Sequence, residues 1–349
     1  MAADTKPRLA ITMGDAAGIG PEVIVAAWAR PEVHATVRPL VVGHPEILRR
    51  AAKLLKSDAK VVELDADAVS RGQWAADVRT IACLKACNDD VLDVPAGAVD
   101  ARAGEAAYQC VCSATKLVQQ GHADGIVTAP LSKAALHSSA HFYPGHTELL
   151  ADLCRAKEFA MMLYLPPGSA VRGPAGLGVA HVTLHQSLRS IFHDLSTAAI
   201  VVKCRLADGV MRRLGVKQPR LAVAALNPHA GEQGLFGDEE QEIIAPAVDD
   251  VRAAGLNVSG PFPTDTLMMR ARDGEFDAVV AMYHDQGHIA LKLLGMNAAV
   301  NITLGLPIVR TSVAHGTAFD RAWQGTANAD GMVAAIRTAA LLTHTQSQA

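Results

Sequence analysis

The chain has 349 residues, of which 50% are hydrophobic and 19% charged, and a formal net charge of -3. That is enough apolar material for about two packed domains, and it excludes a disordered chain. Acids and bases are mixed, so no basic stripe points to nucleic acid and no Lys/Arg run to a membrane surface; no apolar run approaches the ~20 residues that span a bilayer.

The N-terminus, MAADTKPRLAITMG, lacks the charged-then-apolar pattern of a signal peptide, so a cytoplasmic location is expected. Leu9 to Met13 reads as a strand, and PEVIVAAWAR, from Pro21, as a helix with proline in its first turn. PLVVGH follows as a strand, HPEILRRAAKLL as a helix and KVVEL as a strand. A long helix runs from about Gly104 to Gln120 and leads into the strand DGIVTAP. AMMLYL, GVAHVTL, RLAVAAL, AVVAMY and AVNITL read as further strands, and Asp330 to about His344 as the last helix. Such alternation implies a largely parallel sheet with helices on both faces. Cys83, Cys87, Cys110, Cys112, Cys154 and Cys204 form no CxxC pair and read as reduced structural thiols.

In parallel α/β sheets ligands bind beyond the carboxyl ends of the strands. AITMG runs into Asp15 and AAGIGPE, and GIVTAP into LSK, with Lys133. GVAHVTL runs into His185, LAVAAL into NPHAGE, with His229, and AVVAMY into HDQGH. VNITLG runs into LPIVRTS, with Arg310, and then VAHGTAFD. Turn chemistry alone does not require so many polar strand ends in one chain.

His185, His229 and His284 each sit at or just past a strand end. Neutral imidazoles suit borderline divalent ions, and three of them leave coordination positions open for substrate. Three separate capping histidines would give the same pattern. His181, on the same strand face as His185, and His288, four residues after His284, are rival ligands. PGHTELL puts Gly145, His146 and Thr147 at a helix start, where free N–H groups and the helix dipole favour an anion such as phosphate. Lys292 and Arg310 are cations beside polar strand ends. Asn301 begins a strand, where a buried amide must find partners. GDAAGIGPE, with Gly14, Gly18 and Gly20, is similar to a glycine-rich dinucleotide loop but is not GxGxxG.

Taken together, ITMGDAAGIGPE, IVTAPLSK, PGHTELLA, LNPHAGEQGLFGDEE, GPFPTDT, AMYHDQG and VNITLGLPIVRTSVAHGTAFD span nearly the whole chain in order. On these the sequence resembles the 4-hydroxythreonine-4-phosphate dehydrogenase (PdxA) family. AYQCVCSATKL, HDQGHI followed by LKLLG, and AFDRAWQG are similar to the branch that oxidises 4-phospho-D-threonate and 4-phospho-D-erythronate. HVTLHQSLRS is similar to a third branch, which oxidises a dihydrodiol of terephthalate. That branch tends to lose the GHTE, Asn and Arg positions kept here as His146, Thr147, Asn301 and Arg310, so a phosphorylated substrate is expected. GDAAGIGPE and HGTAFDRAWQGTAN also resemble the GDGIGPE and HGSAPDIAGKGIAN of isocitrate and isopropylmalate dehydrogenases.

The resemblance implies an α/β fold, isocitrate/isopropylmalate dehydrogenase-like, with two α/β/α domains and a cleft between them. The terminal, cofactor-side domain is expected at 1–130 plus 302–349, and the central metal, substrate and dimerisation domain at 131–301. A homodimer with active sites at its interface is implied. His185, His229 and His284 correspond to ligands of one divalent ion (Zn, Co, Mn or Mg). His146, Thr147, Lys292, Asn301 and Arg310 correspond to substrate and phosphate contacts, and Asp265 and Asp285 to substrate-contacting acids. Gly14, Asp15, His315, Gly316, Thr317, Ala318, Asp320 and Asn328 form the expected NAD or NADP segments. The implied reaction is oxidation of the C3 hydroxyl of a 4-phosphorylated four-carbon acid followed by decarboxylation, with Asp285 or Lys292 as the base. A terephthalate-type dihydrodiol dehydrogenase and a non-catalytic metabolite-binding homologue are the alternatives. Two departures bear on this: Ala16 stands where the family loop has proline, and Ala314 where it has aspartate.

Overall fold

The protein is described by a computed structural model over residues 6–168 and 170–344. The chain begins with β1 (Arg8–Thr12), α1 (Gly20–Trp28), α2 (Pro31–Thr36), β2 (Arg38–Gly43) and α3 (Pro45–Leu54). β3 (Lys60–Leu64), α4 (Ala66–Ser70), β4 (Thr80–Lys85), α5 (Ala101–Gln119), β5 (Gly125–Thr128), α6 (Lys133–Ser138) and α7 (His146–Leu153) follow. Next come β6 (Ala160–Leu165), β7 (Leu177–His181), α8 (Ile191–Asp194), α9 (Thr197–Arg213), β8 (Leu221–Ala224), α10 (Ala245–Ala253) and β9 (Val258–Phe262). The last are α11 (Thr264–Arg272), β10 (Ala278–Ala281), α12 (His284–Gly295), β11 (Val300–Leu304), β12 (Val309–Val313) and α13 (Asp330–His344).

Two compact units result, one of residues 1–156 with 306–349 and the other of 157–305. In the terminal unit six strands run β3-β4-β2-β1-β5-β12, every pair parallel. Both faces of such a sheet must be covered, and the strands are accordingly apolar throughout: Leu9, Ala10, Ile11, Ile126 and Val127 are all buried. α5 packs on β1 and β2, and α13 on β12 and β5. Full burial of each Leu or Ile contributes about 1.5–3 kcal/mol, so the register that aims the strand ends is strongly set.

In the central unit the order is β11-β6-β7-β10-β8-β9. β6 runs antiparallel to both of its neighbours, and the remaining pairs are parallel. α9 packs on β7 and β10, and α12 on β6, β7 and β10.

The contact boundary falls at 156/157, whereas the sequence reading divides the chain at 130/131. Residues 131–156 pack on the terminal unit because α6 lies against α5, with the Ala135 carbonyl where a side chain at Gly104 would be. The helix start PGHTELL therefore belongs with β5 and β12. The strands expected through GVAHVTL and AVVAMY stop at His181 and Ala281, and the polar residues after them lie on turns and on α12.

Candidate active site

Two groups of polar residues stand out, one in each unit. In the terminal unit, Arg310 lies on β12, 2% exposed, and its Nη2 donates to Thr128 Oγ1 on β5 at 2.7 Å. Burial pushes its pKa down to about 9, and the Glu148 carboxylate acts in the opposite sense. A guanidinium so deep is costly unless anions or acceptors surround it. His146, the first residue of α7, is held neutral, its pKa well below normal, chiefly by burial and then by the charge of Arg310. The residue as a whole is only half-buried, yet its Nε2 is out of reach of solvent and has no hydrogen-bond partner. Thr147 is buried beside it, and Lys133 approaches Gly145. His146 and Thr147 thus lie at a helix start, and Arg310, which the sequence reading put past a strand end, is inside β12 with its side chain reaching Thr128 at the end of β5; such donors suit an anion.

The second feature of this unit is the GDAAGIGPE loop. Its amides are used internally: Ala17 N–H donates to Asp15 Oδ1 at 2.8 Å, Gly18 N–H to the Asp15 carbonyl, and Ile19 N–H to the Thr317 carbonyl at 3.0 Å. A side chain at Gly18 would meet that same carbonyl at 2.9 Å. Glu22, buried in the first turn of α1, accepts from Trp323 N–H at 2.6 Å and Gly325 N–H at 2.7 Å. Trp323 Nε1 donates to the carbonyl of Ala16, so the residue that replaces proline is itself pinned. The loop is therefore a platform that carries the 315–328 segment. Asp15 Oδ2 is buried without a partner, and burial raises the Asp15 pKa to about 6 against the pull of the Ala17 and Ser132 amides. An orphaned buried carboxylate beside this segment fits a polar ligand such as a dinucleotide. Within the segment, His315 contacts the Gly316 carbonyl, Asp320 is exposed, and Asn328 Oδ1 accepts from Asp330 N–H at the start of α13.

In the central unit β7 and β10 end side by side, and two residues separate the end of β10 from the start of α12. Thr183 Oγ1 donates to the Met282 carbonyl, fastening the two chain segments. The rings of His185 and His284 come to 5.8 Å between centroids, on a depression of about 780 Å³ that Tyr283 and Asp285 also line. His284 Nδ1 lies 2.6 Å from Asp285 Oδ1. A carboxylate only accepts, so Nδ1 carries a proton, and in the neutral ring Nε2 is the nitrogen with the lone pair. This is the arrangement in which a carboxylate orients a metal-binding imidazole. Behind the pair, His181 and His288 are buried and neutral; burial, then neighbouring charge, lowers their pKa values to about 4 and about 2.

His229 stands apart. Its loop, residues 229–233, has five consecutive left-handed residues, and its ring, 70% exposed, contacts Phe236 and Glu232. Glu240 holds the loop by accepting from the amides of Leu226 and Asn227. Among the described residues, no three His, Cys, Asp or Glu side chains are arranged to hold a metal ion. His185 and His284 fit a shared cation as a pair, and the third imidazole is not with them. Asp265 is exposed and bonds the Thr266 amide, Lys292 lies on α12 two turns after His284, and Asn301 Oδ1 on β11 is buried without a partner.

Sequence reading assigned no role to Glu22, Glu240 or Gln286. Gln286 accepts from Met282 N–H and donates to the Ala225 carbonyl and Thr264 Oγ1, tying the ends of β10 and β8 to the start of α11. The amide in HDQG was the available signal, since a buried amide needs three or four partners.

Paired imidazoles at strand ends and a guanidinium sunk behind a helix start belong to an α/β enzyme rather than to an inert scaffold. A sequence profile described as pyridoxal phosphate biosynthetic protein PdxA matches residues 35–339. The chain is similar to a D-threonate 4-phosphate dehydrogenase of Salmonella typhimurium, with 47% identity over 95% of this chain and 97% of the relative. It is similar also to a 4-hydroxythreonine-4-phosphate dehydrogenase of Trichlorobacter lovleyi, with 43% identity over 98% and 99%. A crystal structure of 4-hydroxythreonine-4-phosphate dehydrogenase from Klebsiella pneumoniae superposes with a TM-score of 0.84 at 43% identity, covering 97% of this chain and 100% of that one. The chain belongs to the PdxA family, and it is a dehydrogenase.

Proposed function

We propose that the protein oxidises the C3 hydroxyl of a 4-phosphorylated four-carbon hydroxy acid with NAD or NADP, and that loss of CO₂ from the 3-oxo acid follows. 4-Phospho-D-threonate, 4-phospho-D-erythronate and 4-hydroxythreonine 4-phosphate are the candidates. The observation that carries this reading is the buried Arg310 with His146 and Thr147 at the start of α7. Fixed donors of this kind suit a phosphate dianion, and phosphate held there would position C3 through remote binding energy. The names of relatives at 47% and 43% identity support the same substrate class.

His185 and His284 are proposed to hold one divalent ion, with His229 of a second copy as third ligand. The exposure of His229 supports this, as does an apolar stripe formed by Ile289 and Leu293 on α12 and Met296 just past its end, suited to a homodimer. A divalent ion there supplies Lewis acidity that lowers a hydroxyl pKa, and a nicotinamide ring supplies a hydride acceptor. Asp285, whose Oδ1 is engaged with His284 Nδ1, and Lys292 are the candidates for the group that takes the hydroxyl proton. Asn301 and Arg310 are assigned to substrate. Asp15 and the 315–328 segment are assigned to the dinucleotide.

The test is a parallel assay of the three phosphorylated acids with both dinucleotides. One of them should turn over with kcat/KM in the ordinary enzyme range, about 10⁴ M⁻¹s⁻¹ or more. No turnover of any, with oxidation of an aromatic dihydrodiol instead, would overturn the reading.

A further inference from the structure

The two buried histidines behind His284 need a reason. Their imidazoles lie in a part of the central unit where apolar side chains would pack at no polar cost. Gly287 makes their approach possible: a β-carbon there would lie 2.4 Å from Val179 Cγ1 and 2.7 Å from His181 Nε2. With only hydrogen at that position, α12 settles onto the end of β7.

The hydrogen bonds run in one direction. His181 Nδ1 lies 3.4 Å from the Met161 carbonyl on β6, which can only accept, so that nitrogen carries the proton. His181 Nε2 must then accept. It lies 3.1 Å from His288 Nδ1, which therefore donates. The ring of His288, fixed in this way, stacks on the ring of His284 at 3.8 Å between centroids and 13° between planes. The ring of His284 is thus constrained twice: Asp285 selects its tautomer from one side, and His288 sets its plane from the other.

We propose that His181 and His288 are a positioning pair that holds the His284 ring in the orientation needed for a divalent ion. Neither touches the reacting atoms. The inference rests on the reading of His284 as an ion ligand, and it adds that the affinity of that ligand depends on a buried hydrogen-bonded stack one turn further along α12.

The test is a Co²⁺ titration of the intact protein, followed by its visible d–d absorption, with thermal melts of every variant and steady-state kinetics. His288→Ala should bind Co²⁺ about 10- to 100-fold more weakly, with shifted bands, in the range for loss of a partner that orients a ligand. His288→Phe, which returns a flat ring to the face of His284, should recover most of that affinity. His181→Ala should fall between wild type and His288→Ala. In all three kcat should fall with ion affinity while KM for the phosphorylated substrate moves less than about twofold. Wild-type affinity and bands in folded His288→Ala, or a loss in His288→Phe as large as in His288→Ala, would overturn the pair. Should His288→Ala not fold, His181→Ala decides by the same comparison with wild type. His284→Ala separates the two levels. Unchanged Co²⁺ binding there removes the ligand reading and the pair with it, whereas loss there beside wild-type binding in His288→Ala removes the pair alone.

Discussion

The two units prepare their polar groups in opposite ways. In the terminal unit Arg310, His146 and Thr147 are gathered within a single chain, fixed by parallel strands whose apolar residues are buried on both faces. In the central unit, of the three histidines read as ion ligands, His185 and His284 come together, while His229 lies on an exposed left-handed loop. The difference follows from cost. A buried guanidinium must be surrounded before the chain is stable, so its pocket forms with the fold. Imidazoles near the surface cost little to leave open, so they need no surrounding pocket before the chain is stable.

The contrast yields variants that should separate the two regions. His284→Ala has the largest expected effect: with the ring proposed as an ion ligand and lying outside the apolar core, kcat should be lower by about a thousandfold with the melting temperature nearly unchanged. Kinetics and a melt on one sample check both halves. Arg310→Lys comes next. It keeps the charge but loses the fork, so KM for a phosphorylated acid should rise about thirtyfold with kcat within about threefold. An equal fall in kcat would move Arg310 from phosphate holding to the reacting end.

Asp15→Asn should act on stability. The folded pKa of Asp15 is raised from 3.8 to about 6, so this group's contribution is fully present below pH 3.8 and is lost as pH rises through 6. The amide can still accept from Ala17 and removes the buried charge. The variant should be more stable than wild type at pH 8, by at most about 3 kcal/mol, with the gain gone near pH 3.5. Denaturant melts at the two pH values measure it. His146→Asn carries the smallest effect. The folded pKa of His146 is depressed, so its contribution is fully present above the unfolded value of about 6.5 and falls as pH drops below it. Substitution should flatten the acid side of the stability profile between pH 6.5 and 5.

Much of this was legible in the sequence for identifiable reasons. AMMLYL and the last helix have strong apolar patterns and clear ends, and they form at Ala160–Leu165 and Asp330–His344 as read. The polar strand ends could be found because a parallel sheet dictates where to look. The partners that hold them could not. Glu22 reaches Trp323 across about 300 residues, and Glu240 reaches back to Asn227. The long helix α9 is hard to read because its apolar face is interrupted by the half-buried Lys203 and the buried Asp208. The left-handed turn at His229 has Gly231 at its centre but alanine, glutamate and glutamine around it, residues that seldom mark such a conformation. The buried stack of His181 and His288 appeared only as a pair of rival ligands, since spacing alone does not distinguish a ring that binds from a ring that supports.

The most direct test compares 4-phospho-D-threonate with D-threonate under identical metal and dinucleotide. A pocket built on Arg310, His146 and Thr147 predicts that the phosphorylated acid wins in kcat/KM by about a thousandfold, and that Arg310→Lys erodes the advantage. Equal rates for the two acids would contradict it.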